Sequence, residues 1–209
     1  MPRATDTRTR LLDAAERLVL QHGFGSTTID GVLADAKSSK GAFFHHFPSK
    51  AALGRALVER YAAADAELLE SLMAAAEGES DDPADQLIAF VAGFERTAET
   101  LPELQPGCLF VSFIYESDLA GSGVDDVVSE SVLLWRGRIL DKLERAAARH
   151  RPLAPVDLPS LADQVFTTFE GGFLLARALD DPAALRRQIA HLRHYLELLF
   201  DRLPAPAAR

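Results

Sequence analysis

Cysteine and long apolar runs are scarce in this chain of 209 residues. Cys108 is the single cysteine, so an internal disulfide is excluded, as is typical of a reducing compartment. The uncharged stretch from Leu104 to Tyr115 holds twelve residues and none is longer, whereas a membrane-spanning helix needs roughly 20 apolar residues. The first ten residues are polar and contain three arginines, unlike a signal peptide. The sequence therefore predicts a cytoplasmic protein without a membrane span.

The charge is unevenly distributed along the chain. The composition, 48% apolar and 25% charged, is that of a globular protein and excludes collagen-like and fully disordered chains. Residues 1–50 contain seven Lys/Arg and five Asp/Glu, a net charge of +2. Because the whole chain has a net charge of −9, residues 51–209 carry a net charge of −11. We therefore expect a small domain over residues 1–50 that tolerates a polyanion, followed by a separate domain over residues 51–209.

The apolar periodicity favours an all-α fold of about nine helices and no strands. The segment 108–119 is too apolar to show a period, and it is assigned to a helix because no second strand is available to pair with it. Thr27, followed three residues later by Asp30, resembles a capping box at the start of the second helix. The helices are expected over about 7–22, 27–36, 39–47, 49–76, 87–94, 108–119, 124–150, 160–179 and 182–203.

The second and third helices and the tight turn between them form a helix-turn-helix pattern packed on the first helix. Phe43 and Phe47, four residues apart, are expected to bury against the first helix. Small residues from Ser38 to Ala42 would let the third helix approach base edges closely in the major groove of DNA.

The stretch from Ser39 to Leu53, with its His-Phe-Pro-Ser-Lys segment and the preceding Thr-Thr-Ile, resembles the DNA-binding domain of the TetR family of transcriptional regulators. The resemblance covers about residues 7–55 by motif and the remainder by helix number and length. It implies a ligand-binding and dimerisation domain after the DNA-binding domain, and a homodimer formed by the last two helices. It also implies a palindromic operator in double-stranded DNA and a repressor that a small-molecule effector releases, with no cofactor and no enzymatic activity.

The resemblance also implies a set of DNA contacts. Two threonines would contact phosphate at the start of the second helix, and the front of the third helix would face base edges, with its aromatic residues at the groove margin and a lysine clamp at the start of the fourth helix. These residues are Thr27, Thr28, Ser38, Ser39, Lys40, Gly41, Ala42, Phe44, His45, His46 and Lys50.

Four positions depart from the family pattern. Phe44 replaces the usual tyrosine and lacks its phenol, and Lys37 replaces a turn glycine at a cost of about 1 kcal/mol if the backbone there is left-handed. Ser38 replaces an apolar residue, and Gly31 lies inside the second helix. The departures at Lys37 and Phe44 leave open another hypothesis, in which the first domain has lost DNA binding and recognises a protein.

The second domain holds most of the aromatic residues, which either fill its core or line a ligand pocket. Gly171 and Gly172, adjacent within a helix, favour close packing at the dimer interface. The candidate ligand-binding residues are Phe94, Cys108, Phe110, Ser112, Phe113, Glu116, Trp135, Phe166, Thr167 and Glu170.

Three alternatives concern individual side chains. Cys108 at the start of an apolar helix is either a small core residue or a redox or electrophile sensor. His191, His194 and Glu197 have a spacing that could place metal ligands on one helix face, but they flank an apolar stripe, and no metal is expected. A helical enzyme that uses Glu116, Glu170 or these histidines is the third alternative, and it has no recognisable catalytic motif.

Overall fold

A computed structural model describes residues 6–98, 108–114 and 122–203 of the chain. Within these ranges it contains nine α-helices and no strand, as the apolar periodicity predicts. Over the same residues, no helix combines the length and apolar character that crossing a membrane requires. The helices are α1 (Thr7–His22), α2 (Ile29–Asp35), α3 (Lys40–His46), α4 (Lys50–Glu79), α5 (Pro83–Thr97), α6 (Val111–Ile114), α7 (Val124–Arg149), α8 (Leu158–Ala178) and α9 (Ala183–Leu199).

Side-chain caps account for several helix starts. The hydroxyl oxygen of Thr28 accepts a hydrogen bond from the Gly31 amide at 3.0 Å and caps α2. The capping prediction for Thr27 is therefore wrong by one residue, because the Thr27 hydroxyl instead donates to the Gly23 carbonyl at 2.9 Å. Asp157 caps α8 by accepting from the Ser160 amide, so α8 begins two residues earlier than expected.

Several helix predictions differ from the structure at their ends: α4 ends at Glu79 rather than near residue 76, and α5 spans Pro83–Thr97 rather than 87–94. The last helix, α9, ends at Leu199 rather than near residue 203, and Asp201 just beyond it has a positive φ of 55°, a conformation that ends a helix. The helix expected over 108–119 begins only at Val111, since residues 108–110 are not helical; α6 is a single turn, and residues 115–119 lie outside the described residues.

The described residues group into two compact units. The first contains residues 6–65, 108–114 and 122–131, and the second contains residues 66–98 and 132–203. The helices α4 and α7 each contribute residues to both units. The predicted boundary at residue 50 concerns functional domains and stays a prediction, since compactness groups the residues differently.

The core of the first unit is built on α1. Leu11, Leu12 and Val19 of α1 are buried. Phe43 of α3 and Phe47, which follows it, are also buried, and their ring centroids lie 5.7 Å apart. The predicted burial of these two phenylalanines is confirmed. Their burial fixes which face of α3 points to solvent.

The second unit is held together by an aromatic cluster and by a close contact between helices. Phe94 and Phe169 stack with centroids 4.0 Å apart, and the Trp135 ring meets both nearly edge-on. A Cβ atom at Gly172 would lie 3.1 Å from the Leu185 Cα, so α8 and α9 of one chain touch there. The prediction of a dimer contact is therefore wrong for Gly172, which serves packing within the chain.

Candidate nucleic-acid interface

The turn between α2 and α3 requires a left-handed residue. Lys37 has a φ of 49°, and the Ser38 amide donates to the Leu33 carbonyl at 2.9 Å to close the end of α2. A side chain other than glycine costs about 1 kcal/mol in this conformation. The predicted strain at Lys37 is therefore present, and the turn keeps the helix-turn-helix geometry despite it.

The outer face of α3 is open to solvent. Ser39 caps α3 by accepting from the Ala42 amide at 3.2 Å, and Gly41 and Ala42 are the small residues of the first turn. Gly41, Phe44 and His45 are exposed, and Phe44 is 52% exposed although it is a large apolar residue. Ser38, Ala42 and His46 are half-buried. A helix that presents small residues together with the exposed rings of Phe44 and His45 is suited to lie in a groove of DNA.

Residues from three elements line one surface groove of about 390 Å³. The groove brings together five of the residues predicted to contact DNA. It also contains two residues that the sequence did not single out for this role, Ile29 and Asp30. The predicted members are Thr27 and Thr28 beside α2, Lys40 and Phe44 of α3, and Lys50 at the start of α4.

The two lysines of the groove already have partners within the protein. The Lys40 ammonium lies 3.2 Å from the Asp30 carboxylate, and both side chains are largely exposed. The Lys50 ammonium donates to the Gly25 carbonyl at 3.0 Å and stands 4.5 Å from the centroid of the Phe24 ring. Neither Asp30 nor Phe24 was predicted to contact these lysines, and Asp30 was singled out in the sequence only as the acid of a capping box.

Thr27 differs from its neighbour Thr28. Thr27 is buried and its hydroxyl donates to the Gly23 carbonyl, whereas Thr28, just before the first residue of α2, is exposed. The phosphate contacts of both residues stay predictions. The orientation of the two side chains favours Thr28, whose cap leaves the first amides of α2 directed outwards.

The candidate ligand-binding residues are divided between the two units. Cys108, Phe110, Ser112 and Phe113 belong to the first unit, while Glu116 lies outside the described residues. The candidates in the second unit are Phe94, Trp135, Phe166, Thr167 and Glu170.

In the second unit, the candidate ligand-binding residues differ in burial, and their role in ligand binding stays a prediction. Phe94 and Trp135 are in the packed aromatic cluster, which gives them a structural role. Thr167 is exposed and donates its hydroxyl to the Gln164 carbonyl. Phe166 and Glu170 are half-buried. A separate depression of about 710 Å³ is lined by residues between 147 and 158, none of which was predicted.

In the first unit, Cys108 is buried and its sulfur lies 4.0 Å from the Tyr61 hydroxyl oxygen. The Phe110 ring packs edge-on against the same tyrosine, with centroids 4.9 Å apart. These contacts suit a small apolar side chain, and a sensor role for Cys108 stays a prediction.

The three residues whose spacing could suit a metal differ in exposure. His191 and His194 are exposed, whereas Glu197 is buried and forms an ion pair with Arg193 at 2.6 Å. Within the described ranges, no group of three or more His, Cys, Asp or Glu residues could hold a metal ion.

Two family models match the chain. Residues 11–57 match "Bacterial regulatory proteins, tetR family", and residues 83–192, more than half of the chain, match "Tetracyclin repressor-like, C-terminal domain". The chain belongs to the TetR family. Its family consists of bacterial regulatory proteins, not of enzymes.

Curated relatives of this TetR-family chain include two repressors. It is 42% identical over 77 residues to the transcriptional repressor NemR of Escherichia coli K12, a match that covers 37% of this chain and 39% of NemR. The chain thus spans about two fifths of NemR in that match. It is 25% identical over 203 residues to the repressor DhaR of Mycobacterium sp. GP1, covering 95% of this chain and 93% of DhaR.

Solved TetR-family structures extend the likeness to the fold. The structure of reduced E. coli NemR superposes with a TM-score of 0.69 at 27% identity, over 97% of this chain and all of that one. A TetR regulator from Chloroflexus aurantiacus gives a TM-score of 0.72 at 28% identity, over 94% of this chain and 96% of that one. All eleven predicted DNA-contact residues fall within the matched amino-terminal model of the TetR family.

Proposed function

We propose that the protein is a cytoplasmic repressor that binds a palindromic operator as a homodimer and leaves it when a small molecule binds. The observation that most supports DNA recognition is the groove beside the exposed face of α3. Residues of α2, of α3 and of the start of α4 meet in this groove. The names of NemR and DhaR as repressors support repression rather than activation.

In this proposal each part of the groove has a separate task. The outward amides of α2, with Thr28, bind a backbone phosphate, and Lys50 binds another as a point charge. These contacts position the domain and make binding sensitive to salt. Lys40 reaches base edges in the major groove, while the methyl of Ala42 contacts a thymine. Base contacts give sequence preference, so the front of α3 determines the operator.

Homodimer formation is supported by an apolar surface on α8 and α9, which pack against each other. Gly171 has open space around the position of a Cβ atom, so another helix can approach it closely. A two-fold axis through this surface gives an isologous contact and a palindromic DNA site. The exposed apolar residues are Leu174, Leu175, Leu179, Tyr195 and Leu198.

Release by a ligand requires that the ligand region and the DNA contacts share a structural connection. Within the first unit, the Phe113 ring of α6 lies 4.9 Å from the Phe24 ring, which is also in contact with the Lys50 ammonium. Arg55 of α4 donates to the Ser122 carbonyl at 3.1 Å. A ligand that displaces either segment therefore acts on Lys50 or on α4, and the small molecule needs no contact with α3.

The proposal is tested by binding selection of the full-length protein on a pool of random double-stranded DNA at two salt concentrations. We expect one palindromic sequence to be enriched, with affinity that falls steeply as salt increases. If no sequence is enriched at either salt, DNA reading is rejected and the protein-partner hypothesis gains support.

The dimer is tested by sedimentation of Leu198→Asp. This variant places a charge on the apolar surface of α8 and α9, and we expect it to sediment as a monomer. The control is Leu153→Asp, which alters another exposed leucine of the second unit outside these helices, 69% exposed against 52% for Leu198. A dimer that survives Leu198→Asp places the interface elsewhere.

A further inference from the structure

We propose that Asp30 is a positioning residue for DNA recognition, which holds the Lys40 ammonium in the groove and so sharpens the choice between the operator and other DNA. The inference rests on the proposed function. It adds a residue that carries the wrong charge for binding DNA and yet lies among the predicted contacts.

The contact between these residues crosses the helix-turn-helix. Asp30 is the second residue of α2 and Lys40 is the first residue of α3, and the ammonium nitrogen lies 3.2 Å from Oδ1. Asp30 is favourably placed, because the first turn of a helix attracts negative charge. Lys40 is unfavourably placed for the same reason. The carboxylate of one helix thus compensates the lysine at the start of the next.

The pair need not break when DNA binds. An ammonium has three donors, and a single carboxylate oxygen uses one of them. The Lys40 side chain is 68% exposed, so its remaining donors can reach acceptors on a base edge while Asp30 still holds it. Lysine otherwise loses much rotamer freedom when a contact fixes it. A lysine fixed before binding loses less, which favours the complex with the correct base.

On other DNA the same contact acts in the opposite direction. A lysine tethered to Asp30 is restricted in its reach for a phosphate, and the carboxylate repels the backbone. Two other acids of the first unit are paired elsewhere, since Asp35 contacts Arg17 at 2.5 Å while Asp13 contacts Arg60. Asp30 is thus an acid in the groove itself, in a segment with a net charge of only +2.

The test compares Asp30→Ala with the wild type on two duplexes, the sequence enriched by selection and a scrambled version of it. We expect the ratio of the two affinities to fall about fivefold. Asp30→Ala should bind the scrambled duplex more tightly than the wild type does, because Lys40 becomes free to neutralise one more phosphate. For the same reason, the slope of log affinity against log salt concentration on that duplex should steepen by about 0.9.

Two variants separate positioning from simple charge. Asp35→Ala removes the same charge from the same helix, and we expect it to change both affinities together and leave their ratio unaltered. In a Lys40→Ala background, Asp30→Ala should no longer change the ratio. In the wild-type background, Asp30→Asn retains an oxygen acceptor for Lys40, so its affinity ratio should lie between those of Asp30→Ala and the wild type. Circular dichroism confirms that each variant is folded.

Two results overturn the proposal. One is an unaltered ratio in Asp30→Ala, and the other is a fall of equal size in the Lys40→Ala background, which would mean that Asp30 reads a base directly. If the wild type itself enriches no sequence, the proposed function fails and this inference fails with it. Enrichment by the wild type leaves the proposed function standing whichever way Asp30 behaves.

Discussion

Charged residues are used differently in the two units. In the groove of the first unit, the side chains of Lys40 and Asp30 are each more than two-thirds exposed, so an outside partner can contact both. In the second unit, Lys142 of α7 is almost fully buried and donates to Glu77 of α4 and Gln86 of α5, both at 2.6 Å. The first arrangement is available for binding, whereas the second joins three helices of the fold.

The pKa values of the second unit follow from this arrangement. The hydrogen bond and charge of Lys142 lower the pKa of Glu77. Burial acts to raise the pKa of Asp82, but hydrogen bonds from His150 and the Ala84 amide, with the charges of His150 and Arg202, outweigh it, so the pKa is lowered. Carboxylates that remain ionised in contact with cations are structural here. We therefore expect mutations in the second unit to alter stability and mutations in the groove to alter DNA binding.

The largest expected effect comes from Phe169→Ala in the second unit. Loss of a buried ring that stacks on Phe94 should lower the free energy of unfolding by about 4 kcal/mol, measured by urea titration with circular dichroism. Phe44→Ala in the first unit removes a ring that is half exposed, so it should cost less than about 1 kcal/mol of stability while weakening DNA binding. Equal losses of stability in the two variants would contradict the view that the second unit serves stability and the groove serves DNA binding.

A smaller effect is expected from Lys40→Ala. Binding to the selected duplex should weaken by about 1–3 kcal/mol if Lys40 reads a base, with preference relaxed at that position and unfolding unaltered. The measurement is a filter-binding titration on duplexes that vary one base pair at a time. Arg10→Ala, which removes an exposed cation of α1 that contacts Thr7, serves as the control. An equal loss of affinity for every duplex would show that Lys40 contacts a backbone phosphate rather than a base.

Acid should expose the role of Asp82. Because its pKa is lower in the folded protein than in the unfolded chain, its contribution to stability is complete above the ordinary carboxyl pKa of about 4 and is lost as the pH falls through the folded value. Asp82→Ala also removes the cap of α5 and should cost about 1–2 kcal/mol at neutral pH. Urea titrations of both proteins should converge as the pH falls, and a constant difference would argue against this linkage.

The smallest expected effect is a gain. Lys37→Gly relieves the left-handed turn of the first unit and should raise the free energy of unfolding by up to about 1 kcal/mol, seen as a higher melting temperature. Asp201→Gly relieves a similar φ in the second unit and should gain less, since aspartate tolerates this conformation better than lysine. A loss at position 37 would show that the lysine side chain has a stabilising contact.

Local signals in the sequence predicted the helices and the face of α3 that is buried. Phe43 and Phe47 are four residues apart, and that spacing alone places them together on a helix. The choice of Thr28 over Thr27 as the cap was not predictable from composition, since both are threonines. The contact of Asp30 with Lys40 depends on the angle across the turn, and the division of the ligand candidates between two units depends on how helices pack. Apolar periodicity predicts which face of a helix is buried, whereas contacts between different helices can be known only from the three-dimensional structure.

The single tryptophan of the chain lies in the aromatic cluster of the second unit, against Phe90, Phe94 and Phe169. Indole emission excited away from tyrosine thus comes from one known, buried environment. The unmodified protein is its own optical reporter of that cluster, without a dye or an introduced label. A compound library can be screened by the quenching or spectral shift of this one fluorophore, and hits can then be tested for release of DNA.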